Sequence, residues 1–140
     1  MTLFRPHKII KILSMLFCAG TSLAAPPCPE PRSLQAENLH GQWTAQVTGQ
    51  PRIWFLQLGP HPEHEGSLRG EINTGSQRLP VVADLDDGDF TLEESQDGQR
   101  ISATWLGTIN AGSCGQRLSG QRQPAQGEAT PFVMYRNQAR

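Results

Sequence analysis

Apolar and polar residues alternate along most of the chain from residue 41 onwards. Trp43, Ala45 and Val47 are separated by polar neighbours, and the same two-residue period recurs in later segments. This period is typical of a β-strand with one buried face. Between the alternating segments lie Asp87-Gly88 and Asp97-Gly98, dipeptides that favour the tight turns of β-hairpins. The pattern predicts an all-β chain with eight strands, at residues 41–48, 52–59, 67–73, 77–85, 89–94, 100–107, 115–121 and 130–136.

The last strand decides whether this sheet is open or closed. Strands joined by hairpins leave two unpaired edges unless the first and last strands pair with each other. Phe132, Met134 and Arg136 share one face by alternation, and antiparallel pairing with the first strand brings Arg136 beside Trp43. The sequence therefore predicts a single eight-stranded antiparallel up-and-down barrel in residues 39–140, with the Arg136 guanidinium on the Trp43 indole at its base.

The first 24 residues have the three parts of an export signal. Basic residues up to Lys11 precede an apolar segment, residues 12–20, that is shorter than the roughly 20 residues needed to span a bilayer. Small residues before Ala25 match a peptidase site, so residues 1–24 are predicted to be a cleaved signal peptide. An uncleaved membrane anchor is the alternative. The prediction places the mature protein in the periplasm or outside the cell, with no membrane span after cleavage.

Two cysteines remain after this cleavage. In an exported chain of this size, Cys28 and Cys114 are predicted to form a disulfide, with two free thiols as the alternative. Cys28 lies in a proline-rich arm, residues 25–38, whose first part is expected to be extended because proline lacks an N–H donor. A short helical turn is predicted within residues 33–38, with Ser33 as its cap.

Removal of the signal changes the charge balance. The chain has 12 basic and 13 acidic residues, and three of the basic ones lie in the signal. The nine basic residues that remain are all arginines, so nine cations face 13 anions and the net charge is −4. A modestly acidic domain without a basic stripe is not expected to bind DNA or RNA.

The barrel domain opens with Gly41-Gln42-Trp43, and its last predicted strand carries Arg136. This combination resembles the calycins, the superfamily of lipocalins and avidins, in which a Gly-x-Trp signature opens the barrel and a lipocalin arginine packs over that tryptophan. The resemblance implies a barrel that binds a small hydrophobic ligand. Biotin is not expected, because Thr44 and Ala45 stand where avidins place hydrogen-bonding groups for the ligand.

A second resemblance rests on Leu39–Trp43, which reads Leu-x-Gly-x-Trp and follows an extended arm. Bacterial metalloprotease inhibitors of the Inh type are similar in this layout, with an extended N-terminal segment before an eight-stranded barrel. The resemblance implies a protein-binding function, the inhibition of an exported hydrolase. The cysteines of those inhibitors differ in position from Cys28 and Cys114.

Neither a metal nor a cofactor is predicted. His61 and His64 lie three residues apart, but Pro60 and Pro62 favour a loop, where this spacing does not align two ligands. The acidic run 84–89 has Gly88 where a calcium loop needs a ligand. No nucleophile with an adjacent base is found, so the chain is predicted not to be an enzyme.

The aromatic residues give the remaining candidate sites. The three tryptophans either line a ligand cavity or fill the barrel, whose interior at eight strands is only just wide enough for side chains. The segment 52–56 is apolar on both faces, so its outward residues are either exposed for a partner or covered by the arm. We expect a non-enzymatic exported binding protein that binds another protein, with a small hydrophobic ligand as the alternative. The candidate binding residues are Trp43, Ile53, Trp54, Phe55, Trp105 and Arg136.

Overall fold

The predicted closed barrel is present in the computed structural model, which describes residues 24–138. All eight predicted strands form, and no strand end moves by more than three residues from its predicted position. In chain order the strands are β1 (Gly41–Val47), β2 (Trp54–Pro60), β3 (Leu68–Asn73), β4 (Arg78–Asp86), β5 (Asp89–Ser95), β6 (Ile101–Ile109), β7 (Arg117–Pro124) and β8 (Thr130–Arg136).

Every strand pairs antiparallel with its neighbour in sequence, and β8 closes the barrel on β1. The register of this closure runs from Trp43 opposite Arg136 to Val47 opposite Phe132. Closure by this register removes the unpaired edges that an open eight-stranded sheet would expose. The predicted meeting of Arg136 and Trp43 is thereby confirmed at the level of strand register.

The core fills the inside of the barrel. Along β4, for example, Leu79, Val81 and Ala83 are buried while Val82 between them is exposed, as the two-residue period requires. The largest fully buried side chains are Trp43, Trp105, Phe90, Phe132, Leu39, Leu56, Leu58, Leu68, Ile72, Leu92, Leu118 and Met134. Packed side chains therefore occupy the interior.

The two ends of the barrel are bounded by different sets of loops. We call one end the base; its loops are residues 61–67, 87–88 and 110–116. We call the opposite end the mouth; its loops are residues 48–53, 74–77, 96–100 and 125–129.

Only one of the two Asp-Gly dipeptides forms a two-residue turn. Asp87 and Gly88 at the base have φ values of 49° and 88°, as the turn of a tight hairpin requires. Gly98 also has a positive φ, of 76°, but Asp97 does not. The connection there is the five-residue loop 96–100, in which Asp97 accepts hydrogen bonds from the backbone N–H groups of Gln99 and Arg100.

The proline-rich arm packs over the base and is more ordered locally than predicted. It contains two short 3₁₀ helices, Pro31–Ser33 and Ala36–Leu39, where an extended segment and a turn capped by Ser33 were expected. Proline is tolerated in the first turn because its missing N–H needs no partner there. The second helix is capped instead by Gln35 and Asn38, whose side chains and backbone N–H groups bond reciprocally.

Cys28 and Cys114 form the predicted disulfide, which ties the arm to the 110–116 loop. The bond links residues 86 apart, and a disulfide typically stabilises a fold by about 2–4 kcal/mol because it restricts the unfolded chain. The predicted signal peptide, residues 1–24, lies outside the described residues except for Ala24. In the part of the chain described, no helix combines the length and apolarity needed to cross a membrane.

Candidate functional site

An arginine lies over a tryptophan at each end of the barrel. At the base, the Arg136 guanidinium carbon is 5.9 Å from the Trp43 ring centroid. The same guanidinium donates hydrogen bonds to the backbone carbonyls of Asn38, at 2.5 Å, and His40. The Trp43 indole donates to the Leu39 carbonyl at 2.9 Å. All three carbonyls belong to or adjoin the Ala36–Leu39 helix, so the helix closes the base.

At the mouth, Arg122 is paired with a buried carboxylate. Its Nη2 donates to Glu94 Oε1, and only 1% of the Glu94 side chain is exposed. The Trp105 indole N–H donates to the other Glu94 oxygen at 3.3 Å. The Arg122 guanidinium carbon lies 5.1 Å from the Trp54 centroid and 5.8 Å from that of Trp105. The four side chains form one connected cluster, which we call the mouth cluster.

The local sequence explains why a glutamate points into the core. Phe90, Leu92 and Glu94 occupy successive inward positions of β5, and all three are buried. Arg122 lies opposite Trp105 in the pairing of β7 with β6, which brings its side chain to the same end. Sequence reasoning missed this pair, although the alternation of β5 carried a signal for Glu94.

One polar atom of the mouth cluster has no partner. Among the described residues, Arg122 Nε is the one buried side-chain nitrogen or oxygen without a hydrogen bond. Other parts of Arg122 help to line a pocket of about 210 Å³ at the mouth. The residues that line this pocket are Gln50, Trp54, Thr74, Ser76, Gln77, Leu79, Glu94, Gln96 and Arg122. A charged donor group, an aromatic ring and a polar rim therefore meet at the mouth.

The mouth rim includes an aspartate with a perturbed pKa. Hydrogen bonds from the backbone N–H groups of Arg100 and Gln99 lower the pKa of Asp97, because they stabilise its ionised form. The Ser95 hydroxyl also donates to Asp97, at 3.1 Å. The carboxylate fixes the 96–100 loop beside the pocket.

The outward residues of β2 are not covered by the arm. Ile53, just before the strand, is 47% exposed and Phe55 is 56% exposed. The arm packs at the base, where Leu34 lies against the position of Gly115. Trp54, between the two exposed residues, faces inward and is buried. We call Ile53 and Phe55 the outer strip.

The predicted tryptophan set divides between the two ends. Trp43 belongs to the base, whereas Trp54 and Trp105 belong to the mouth cluster, where their ring centroids are 5.9 Å apart. Arg136 lies at the base with Trp43. The structure thus brings Trp54 and Trp105 together at the mouth, apart from Trp43 and Arg136 at the base. The outer strip flanks Trp54 in the chain but lies on the outward face.

The histidine segment forms a loop at the base, and the acidic run 84–89 spans the β4–β5 hairpin at the same end. His61 Nδ1 accepts hydrogen bonds from the backbone N–H groups of Glu63 and His64, and the two imidazole rings lie 4.5 Å apart. Asp84 accepts a hydrogen bond from Ser67. Residues 24–138 contain no group of three or more histidine, cysteine or acidic side chains placed to hold a metal ion.

The sequence matches no protein-family model, and no curated protein matches it at a significant level.

Proposed function

We propose that this chain is an exported, non-enzymatic protein-binding module of calycin-like architecture, of the inhibitor type, that binds its partner through the outer strip. The observation that carries the proposal is the exposure of Ile53 and Phe55, at 47% and 56%, on a wall that the arm leaves uncovered. Adjacent apolar residues exposed on a folded domain are typical of an interaction surface.

The surroundings of the strip have the composition of a protein interface. Strand pairing places Phe55 in one outward row with Thr44 and Tyr135, and Tyr135 is 42% exposed. Arg117 on β7 lies 5.6 Å from the Tyr135 ring centroid. Aromatic residues and arginine are enriched in protein interfaces, whereas glutamate and aspartate are depleted. Strands β1, β2 and β8 carry no acidic residue, which favours this wall as the contact surface.

The packed interior favours a protein partner over an internal hydrophobic ligand. Trp43 and Trp105 are fully buried among other core side chains, and Phe132 contacts Trp105 with ring centroids 4.8 Å apart. A lipocalin-like function needs room for a ligand between these side chains, and filled eight-stranded barrels do not provide it. Binding outside the barrel needs no such space.

Export is supported by the disulfide between Cys28 and Cys114, since structural disulfides persist in oxidising compartments. We infer that the mature protein begins at Ala25 and resides in the periplasm or outside the cell. The intact mass of the secreted protein tests this inference, and a mass that retains Met1 contradicts it.

The outer strip is tested by capture from a periplasmic extract with the double variant Ile53→Ser/Phe55→Ser. The matched control is Ile101→Ser/Leu106→Ser, because these side chains are 51% and 56% exposed and lie on β6, across the barrel from β2. We expect the strip variant to lose, by at least tenfold, the proteins that the wild type and the control retain. Both variants should keep the wild-type melting temperature, since neither removes core packing. Equal capture by all three proteins contradicts the proposal.

A further inference from the structure

We propose that the mouth is a binding site for a small organic carboxylate, which accepts hydrogen bonds from the Arg122 guanidinium beside the Trp54 ring. This site is distinct from the outer strip, and the inference does not depend on the proposed protein partner. It rests on the hydrogen bonding of Arg122, the burial of Glu94, the size of the pocket and the charges of the loops around it.

The first observation concerns the unused donors of Arg122. A guanidinium carries five N–H donors in a planar fork that matches a carboxylate through two parallel hydrogen bonds. Glu94 accepts from Nη2, while Nε has no partner. Arg136 at the base, by contrast, donates to two backbone carbonyls. Nε itself is buried, so a second carboxylate approaches the partly exposed edge of the guanidinium, which lines the mouth pocket.

The second observation is that Glu94 and Arg122 are a largely buried charged pair, at positions where apolar residues would stabilise the fold equally. The Glu94 side chain is 1% exposed and that of Arg122 is 17% exposed. Removing two charges from water offsets much of their attraction, so buried ion pairs are often no more stabilising than apolar residues of similar volume. Glu94 also holds the Trp105 indole through a hydrogen bond. We infer that Arg122 is retained for a ligand, and that Glu94 neutralises its charge while the site is empty.

The pocket sets the size of that ligand. Its volume of about 210 Å³ is below the roughly 300–1,000 Å³ that is usual for drug-sized ligands. The rim supplies the hydroxyl groups of Thr74 and Ser76 and the side-chain amides of Gln50, Gln77 and Gln96. These groups are neutral hydrogen-bonding partners for a small polar molecule. An acid the size of benzoate fits this description.

The loop charges favour the approach of an anion at the mouth over the base. The base loops contain three acidic residues, Glu63, Glu65 and Asp87, and no arginine. In the mouth loops, Arg52 and Arg100 balance Asp97 and Glu128. Repulsion of an incoming carboxylate is therefore weaker at the mouth, where the charges of Arg122 and Glu94 also balance each other.

The wild-type protein tests the proposal directly. Benzoate is titrated while the side-chain N–H signals of Arg122, Trp105 and Trp43 are followed by nuclear magnetic resonance. We expect benzoate to shift the Arg122 Nε–H and Trp105 indole signals. The Trp43 signal should stay in place, because its indole is held by Leu39 at the base. Benzamide, which has the same ring without the charge, should bind at least tenfold more weakly. Equal binding of both compounds, or shifts at Trp43 alone, overturns the proposal.

Three variants separate the site from a structural role. Arg122→Gln should weaken benzoate binding at least tenfold, whereas the matched base variant Arg136→Gln should leave the affinity unchanged. Glu94→Gln should tighten binding about tenfold, because it removes the anion that competes for Arg122. A merely structural Glu94 predicts weaker binding on this substitution, and that result overturns the proposal. If a variant fails to fold, the comparison of benzoate with benzamide on the wild type decides.

The source of the carboxylate is resolved by a further pair of probes. N-acetylglycyl-phenylalanine with a free C-terminus is compared with the same dipeptide as its amide. A response to benzoate but not to the peptide acid assigns the site to free small acids. A response to the peptide acid that the amide does not give assigns it to a chain terminus. No response to either acid at concentrations well above a Kd of about 1 mM overturns the proposal.

Discussion

The base and the mouth of the barrel hold the same pair of residue types in different surroundings. At the base, Arg136 lies over Trp43 and donates to the carbonyls of Asn38 and His40. At the mouth, Arg122 lies over Trp54, pairs with a buried carboxylate and keeps an unpartnered Nε. Both arginines help to line a pocket, of about 580 Å³ at the base and about 210 Å³ at the mouth, but a short helix provides acceptors only for the first.

The difference between the two ends lies in what accepts the arginine hydrogen bonds. At the base, the accepting carbonyls belong to or adjoin a helix in the arm that the Cys28–Cys114 bond ties down, so the contacts join the arm to the barrel. They require no second buried charge. At the mouth, the acceptor is the Glu94 carboxylate, whose burial costs desolvation energy. The Nε donor of Arg122 has no partner there. An arginine on a tryptophan is thus a structural clamp in one place and a candidate binding group in the other.

The largest expected effect is at the base. Arg136→Ala removes two hydrogen bonds from a charged donor and the contact with Trp43, so we expect about 3 kcal/mol less free energy of unfolding. Arg117→Ala is the matched control, because Arg117 also lies over an aromatic ring but is exposed, and it should cost under about 1 kcal/mol. Urea unfolding of both variants measures the difference. Equal losses would mean that the helix contacts contribute nothing.

The base was predictable from sequence and the mouth was not, for reasons of strand register. Gly41-Gln42-Trp43 and the alternation of the last strand were enough to place Arg136 beside Trp43. Strand β7 was predicted to end at residue 121, because the residues that follow are polar and show no apolar alternation. Its pairing with β6 continues to Pro124 and so brings Arg122 into the sheet.

Long-range pairing also explains the other differences between sequence and structure. Glu94 lies on β5 and Arg122 on β7, and β6 lies between the two strands. No local sequence pattern predicts a contact between residues so far apart in the chain. The position of the arm depended equally on tertiary contacts, since its proline content predicts an extended chain but not the end of the barrel that it covers. Exposure of the outer strip followed from the arm lying at the base.

The next prediction concerns the stability of the mouth pair. Glu94→Leu alone leaves the Arg122 charge without its partner, so we expect a loss of about 2 kcal/mol, below the 3–5 kcal/mol typical of fully buried pairs because Arg122 is partly exposed. Glu94→Leu/Arg122→Met should restore stability to within about 1 kcal/mol of the wild type.

Urea unfolding measures the three free energies of the mouth pair. A double variant as unstable as Glu94→Leu would show that the pair stabilises the fold beyond its apolar replacement. The mouth would then resemble the base, and the contrast between a clamp and a binding group would fail.

The smallest expected effect is the pH dependence contributed by Asp97 at the mouth rim. Backbone N–H donors lower its pKa in the folded state, so its contribution to stability is present above the unfolded value of about 3.9 and is lost as pH falls through the lower folded value. Asp97→Asn keeps an oxygen acceptor but cannot titrate. The wild type should therefore melt at a higher temperature than Asp97→Asn at pH 6, and this gap should narrow as the pH falls below about 4. Thermal unfolding at pH 6 and pH 3 measures this difference in melting temperature. The other carboxylates are present in both proteins, so their contributions cancel in the difference. A gap of the same size at both pH values would show that the ionised carboxylate does not hold the 96–100 loop.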